Sequence, residues 1–306
     1  SERSAGKKID FMGKTFTVEE ATPESFKGIQ IALFAGGAAS KVFAPEAVKH
    51  GAVVIDNSSA YRMDPEVPLV VPEVNPESIK QHKGIIANPN CSTIIMVMAL
   101  KPIHDRAKIK RVVVSTYQAV SGAGKEAIDE LTDQVKCIMD NQAVQAKILP
   151  SASLDKHYQI AFNLIPQIDV FTENGYSKEE MKMVDETHKI LNDSSIGISA
   201  TTVRVPVYRS HSESVNVELE TELSVEETKA ILSNFPGLVV QDDLVNMEYP
   251  MPLFVSDRDE VFVGRIRKDP SVKHGLNMWV VGDQIRKGAA LNALQIAEYM
   301  INKNLI

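Results

Sequence analysis

Cysteine is nearly absent from this chain: two residues in 306, Cys91 and Cys137. That excludes a small disulfide-stapled scaffold and points to a reducing, cytoplasmic setting. An excess of cationic residues is also lacking. The net charge of −7 and an isoelectric point near 5.6, with no large Lys or Arg cluster, argue against nucleic acid or an anionic membrane as partner. A small anionic ligand would have to meet individually placed cations. No apolar run reaches the length that spans a bilayer, and the first residues read as neither signal peptide nor targeting helix. Internal repeats and low-complexity linkers are missing too. What remains, 44% hydrophobic and 24% charged, suits a globular protein with a full core and room for two lobes.

Val- and Ile-rich runs that end in Gly, Asn or Ser recur early: I-Q-I-A-L-F-A-G-G from Ile29, A-V-V-I-D-N-S-S from Ala52, P-L-V-V-P-E-V-N from Pro68 and G-I-I-A-N-P-N-C from Gly84. They read as buried strands with functional turns at their carboxyl ends. A-P-E-A-V-K-H-G between the first two is a short helix closed by Gly51. Such alternation predicts a Rossmann-like, doubly wound parallel sheet, with ligands beyond the carboxyl ends of its strands. The texture then changes. A helix over 92–106 leads to the strand R-V-V-V-S-T-Y-Q-A-V, and a polar helix covers 125–141. S-V-N-V-E-L-E-T-E-L from Ser214 and V-F-V-G-R-I-R-K from Val261 alternate apolar and polar, as strands with one wet face do. The second lobe is therefore α+β with a mixed or antiparallel sheet, and a helical run from Arg286 closes the chain.

In N-P-N-C-S-T, Pro89 interrupts the strand, Asn90 is a favourable N-cap, and a helix starts at Ser92. A helix tip favours a thiolate through its unsatisfied N–H groups and dipole, which makes Cys91 a candidate nucleophile. Small buried filler is the commoner fate of a cytosolic cysteine, and Cys137, mid-helix, keeps that reading. Partner groups favour reactivity at Cys91. R-S-H-S-E-S places His211 in a polar turn, as a proton carrier or a surface histidine. His211 and Glu213 form H-x-E without a C-x-x-C companion, so no zinc deaminase site follows. S-T-Y-Q-A-V-S-G-A-G sets Gln118 at a strand end before a glycine turn. Arg62 and Arg204 stand beside strand ends, where a guanidinium can grip a carboxylate or phosphate at two points. Glu179 and Lys182, three apart, share a helix face, and by themselves read as a solvated ion pair.

Taken in order, A-N-P-N-C-S-T, S-T-Y-Q-A-V-S-G-A-G, L-P-Q-I-D-V-F, R-V-P-V-Y-R-S-H-S-E-S, F-V-G-R-I-R-K-D and M-W-V-V-G-D-Q-I-R-K-G-A-A-L-N resemble the bacterial aspartate-β-semialdehyde dehydrogenases along the whole chain. That family interconverts L-aspartate-β-semialdehyde, phosphate and NADP+ with L-4-aspartyl phosphate and NADPH, at the entry to lysine, methionine and threonine synthesis. It works as a homodimer or a homotetramer. The resemblance makes Cys91 the covalent nucleophile, His211 the acid/base and Gln118 the residue orienting the intermediate. Arg204 would hold the substrate carboxylate, Glu179 its ammonium, and Lys182, Arg62 and Asn90 the phosphate. Ser1, Arg3 and Ser4 would hold the 2′-phosphate of NADP, Gly36 and Gly37 would lie along the dinucleotide, and Ser121, Gly122 and Asn292 near the nicotinamide. No metal is implied.

The implied division is a cofactor domain of residues 1–91 and 284–306 and a catalytic and dimerisation domain of residues 92–283. The family opens with a strand, a G-x-x-G-x-x-G phosphate turn and a helix, about 30 residues in all, and these 306 residues begin after that unit. The resemblance thus implies such a segment before Ser1; a non-catalytic fragment is the reading from another class. F-A-G-G stands where the family has F-S-A-G-G, which shifts the glycine turn by a residue. The nearest enzymatic rival, N-acetyl-glutamyl-phosphate reductase, takes a substrate with no ammonium, and the Glu179/Lys182 pair speaks against it.

Overall fold

The structure, a computed structural model, describes residues 4–306; Ser1 and Arg3 lie outside the described residues. A hairpin of β1 (Lys8–Phe11) and β2 (Lys14–Thr17) comes first. Strands β3 (Ile31–Phe34), β4 (Val53–Asp56) and β5 (Ile85–Ala87) form a parallel sheet in that order, and α1 (Gly37–Lys49) joins β3 to β4. Consecutive residues of β4 point to opposite faces. Val54 packs with Ala44 and Ala47 of α1, and Ile55 packs with Ile296 and Met300 of the closing helix. Helices therefore cover both faces, the doubly wound arrangement expected.

Then come α2 (Cys91–Ala107), β6 (Ile109–Gln118), α3 (Lys125–Met139), α4 (Lys178–Leu191), β7 (Gly197–Arg204), β8 (His211–Leu219), α5 (Val225–Ser233), β9 (Leu238–Val240), α6 (Pro252–Val255), β10 (Val261–Asp269), β11 (Gly275–Gly282) and α7 (Leu291–Asn302). Six of these strands form one mixed sheet, ordered β7-β6-β8-β11-β10-β9, with β6–β7 and β9–β10 parallel and the rest antiparallel. Helix α2 lies against it with 13 of its 17 residues buried. Ile94, Met98 and Ile103 of α2 share one core with Val112, Val215, Val263 and Val280, so the residue at the start of α2 is held from behind by the largest apolar cluster.

Two expectations need correction. Residues 68–75 do not form a strand; Leu69 makes an isolated parallel bridge to Ala87. Pro68 and Pro72 lack the N–H a ladder needs, and the chain turns at once through the Val74 N–H donated to the Val71 carbonyl. The run from Arg286 starts with a π-turn, Arg286–Ala290, and becomes α-helical at Leu291. The other helices differ at their ends: α1 begins at Gly37, α2 takes in Cys91 and α3 stops at Met139.

Candidate active site

The turn 88–90 after β5 delivers Asn90 and Cys91 to a cavity of about 250 Å³, also lined by Asn57, Arg62, Ser121, Gly122, Gln284 and Gly288. Asn90 caps α2 as its residue type predicts: its side-chain oxygen accepts the N–H groups of Ser92 (3.0 Å) and Thr93 (3.3 Å). The expected thiolate is not what the structure holds. Burial, and next the carboxylate of Glu179, push the Cys91 thiol up to about 12, against the opposing pull of Arg62, Arg204 and the Ser92 N–H. A helix tip stabilises an anion only to the extent that its N–H groups remain free, and Asn90 already occupies two of them. Cys91 rests as a neutral thiol.

His211 is likewise not in a polar turn. It is the first residue of β8 and fully buried. Its Nδ1 accepts the Ala119 N–H at 3.1 Å, so the ring proton sits on Nε2. Burial, then the Arg204 guanidinium, hold its pKa well below the usual imidazole value. Arg204, the last residue of β7, is in register with Gln118, the last of β6, and its Nη1 donates to the Ala119 carbonyl at 2.7 Å. The backbone of one residue thus orients both side chains. A Cβ on Gly122 would lie 2.9 Å from Arg204 Nη1 and 3.3 Å from His211 Nε2, which explains the glycine. His211 Nε2, Arg204 Nε and Arg62 Nε are among twelve buried side-chain polar atoms without a hydrogen-bond partner among the described residues.

Helix α4 supplies the rest. Ser177 and Glu180 form its capping box, which directs Glu179 and Lys182 inward on one face. Glu179 Oε1 accepts from Asn90 Nδ2 (2.9 Å) and Gln118 Nε2 (3.3 Å), and Oε2 accepts from Lys182 Nζ (3.2 Å). Burial favours its neutral form, but Lys182, Asn90 and Gln118 outweigh that and keep its pKa below the usual value. Lys182 also donates to Asp169 at 3.0 Å. The pair is internal, not the solvated surface pair its spacing alone suggested. Gln118 is bonded to Glu179 and Thr116.

On the cofactor side, Gly36 caps α1 without a side-chain bond and Gly37 opens the helix, leaving backbone N–H groups at the carboxyl end of β3. Ser4 lies in the turn before β1, its carbonyl accepting the Lys7 N–H. Ser121 accepts a short hydrogen bond from Gln284. Asn292 faces a buried network instead of the cavity: its amide donates to the Val70 carbonyl and to Asn88, and its oxygen accepts from Lys287. Residue chemistry, not size, selects this cavity. A cleft of about 540 Å³ along α3, containing Cys137, is lined by Glu126, Asp129, Glu130 and Asp133 and lacks a cation set.

The semialdehyde dehydrogenase NAD binding domain matches residues 1–82 and the semialdehyde dehydrogenase dimerisation domain matches residues 100–287. An aspartate-semialdehyde dehydrogenase of Aquifex aeolicus (strain VF5) is 60% identical over 310 residues, covering 100% of this chain and 89% of its own length. The chain belongs to the aspartate-semialdehyde dehydrogenase family. Among solved structures, aspartate semialdehyde dehydrogenase II of Vibrio cholerae, complexed with ASA, aligns with a TM-score of 0.91 at 46% identity over 99% of this chain and 88% of its own. That of Candida albicans with NADP aligns at 0.73 and 25% identity over 100% and 90%. Within this member of the aspartate-semialdehyde dehydrogenase family, the sequence motifs bring Cys91, Asn90, Arg62 and Gly122 to one cavity, with Arg204 and His211 behind Gly122 and Glu179 beside Asn90. Glu186, Gln284 and Gly288 escaped the motif reading. Glu186 carried a weak signal, one helical face shared with Glu179 and Lys182. Gly288, whose Cβ would stand 3.1 Å from that of Cys91, carried none.

Proposed function

We propose that the protein catalyses the reversible, NADP-dependent reductive dephosphorylation of L-4-aspartyl phosphate to L-aspartate-4-semialdehyde, at the entry to lysine, methionine and threonine synthesis. The observation that carries this reading is the placement of Arg62 on the cavity of the Cys91 thiol, with Arg204 and His211 packed behind Gly122 and the Glu179 carboxylate bonded to Asn90. A substrate bearing an ammonium, a carboxylate and a reacting carbonyl, together with phosphate, answers each of them. The Arg204 guanidinium meets the carboxylate. Glu179, which uses three of about four acceptor sites, has one left for the ammonium. Arg62, Lys182 and Asn90 meet the phosphate.

In the oxidative direction the Cys91 sulfur bonds to the aldehyde carbon. The thiol proton ends on the new hydroxyl, giving a hemithioacetal whose oxygen accepts the His211 Nε2–H. Loss of a hydride from that carbon, and of the hydroxyl proton to solvent because His211 Nε2 already bears a proton, leaves a thioester; an oxygen of hydrogen phosphate then displaces the sulfur, which takes up the phosphate's proton, to form the acyl phosphate. Bound nicotinamide supplies the acceptor or donor of the hydride. The open N-terminus of α1 at Gly36 and Gly37 fits a cofactor phosphate, Ser121 and Gly122 border the place of the nicotinamide, and Asn292 supports it through Asn88. The family's choice of NADP over NAD would rest on Ser1, Arg3 and Ser4.

Residues 1–91 with 284–306 make the cofactor domain and residues 92–283 the catalytic and dimerisation domain, and the packing of α7 on β4 supports that division. The protein works in the cytoplasm as a homodimer or homotetramer. Mixing it with aspartate semialdehyde, phosphate and NADP+ should build the absorbance band of reduced nicotinamide. Cys91→Ala should abolish it, a loss of at least about 10⁴-fold, with an unchanged circular dichroism spectrum. Turnover persisting in that variant would remove the covalent mechanism.

A further inference from the structure

Four of the charged residues of helix α4, Glu179, Lys182, Glu186 and Lys189, are spaced three, four and three apart and hence lie along one face. The first two belong to the pocket above. The other two reach into the other lobe. Glu186 is buried, at 1% exposure. Its Oε1 accepts from Arg62 Nη1 at 3.1 Å and its Oε2 accepts the Asn90 N–H at 2.6 Å. One carboxylate therefore joins the guanidinium that lines the cavity to the residue that caps the helix of Cys91. Lys189 acts on the turn that bears Arg62. Its ammonium donates to the carbonyls of Arg62 (2.7 Å), Asp64 (2.6 Å) and Val67 (2.8 Å), which uses all three of its N–H groups.

These contacts leave Arg62 aimed but unfinished. Its Nη2 donates to the Asn57 carbonyl at 3.0 Å, while its Nε, buried, has no partner among the described residues. Glu186 and the Asn57 carbonyl take one N–H each from Nη1 and Nη2, and the second N–H of each remains for an oxygen of a ligand in the cavity that Arg62 lines.

We propose that Glu186 and Lys189 are positioning residues for the phosphate half of the reaction. They fix where Arg62 presents its guanidinium relative to Cys91, so phosphate binding depends on them and the grip on the amino-acid end does not. The inference rests on the reading of Arg62 as a phosphate ligand given above.

Glu186→Gln and Lys189→Met, each compared with the unaltered protein, test it. Phosphate and aspartate semialdehyde are varied separately in steady-state turnover, and inorganic phosphate alone is titrated by calorimetry. The KM for phosphate should rise about tenfold or more in Glu186→Gln and severalfold in Lys189→Met, with a KM for the semialdehyde moved by less than about twofold. The calorimetric affinity for phosphate should weaken in parallel. Equal changes in both KM values, or no change in phosphate affinity, would overturn the assignment. If Glu186→Gln fails to fold, Lys189→Met, which touches only carbonyls of a turn, decides alone. An unaltered protein that binds phosphate but does not turn over would sink the proposed reaction, and the calorimetric comparison of the variants would then decide the positioning role. One that binds no phosphate would sink both.

Discussion

Cys91 and His211 illustrate how a pair of residue types can be legible while their protonation is not. The sequence pattern pointed to a thiolate at a helix tip; burial outweighs the tip, and the thiol stands at about 12. The sign is simple: an acid whose pKa is raised is protonated at neutral pH, and its reactive anion grows tenfold with each pH unit until the pKa is reached. In a Cys137→Ser background, alkylation of Cys91 by iodoacetamide should therefore climb about tenfold per unit from neutral to strongly alkaline pH. A plateau near neutrality would show that the thiolate is stabilised after all. Arg204 was readable from its place beside a strand end, but its bond to the Ala119 carbonyl was not. Arg204→Lys loses the two-point grip and should raise the KM for the semialdehyde by about tenfold or more, with a smaller effect on kcat; an unaltered KM would place the carboxylate elsewhere.

Elements bring these residues together by their ends. Strands β6 and β7 stop in register at Gln118 and Arg204, β8 starts at His211, and the turn after β6 passes so close that only Gly122 fits. Gly122→Ala should push Arg204 and His211 apart, lowering kcat/KM by about 10². Equal activity would mean that the turn moves freely. Helix and strand periodicity disclosed most of these elements. It overstated 68–75, where two prolines remove ladder donors, and it missed the π-turn of Arg286–Ala290, whose extra residue has no signature in apolar spacing.

For the whole molecule, the two lobes were legible as a change from buried parallel runs to alternating strands. Their connection was not, because Glu186 and Lys189 act on residues more than 90 positions away. The segment between β9 and β10 also leaves apolar groups in the open: Val245 is 92% exposed, and Leu253 and Phe254 of α6 are 79% and 66% exposed. Patches of this kind mark interaction surfaces, and a match to a dimerisation domain spans them. Val245→Asp combined with Phe254→Asp should shift the sedimenting species from the oligomer toward monomer; an unchanged assembly would put the subunit contact on another face.

The chain alone determined the fold class and the cap at Asn90 and singled out Cys91 as a candidate nucleophile with charged candidates around it, because strand and helix periods, capping preferences and motif order are local properties of neighbouring residues. Only the tertiary structure decided that the thiol is protonated, that His211 carries its proton on Nε2, and that Glu179 and Lys182 face inward while Glu186 and Lys189 brace the turn of Arg62. Those outcomes depend on burial and on partners distant in sequence, and desolvation and Coulomb energies are set by what surrounds a group after the chain has folded.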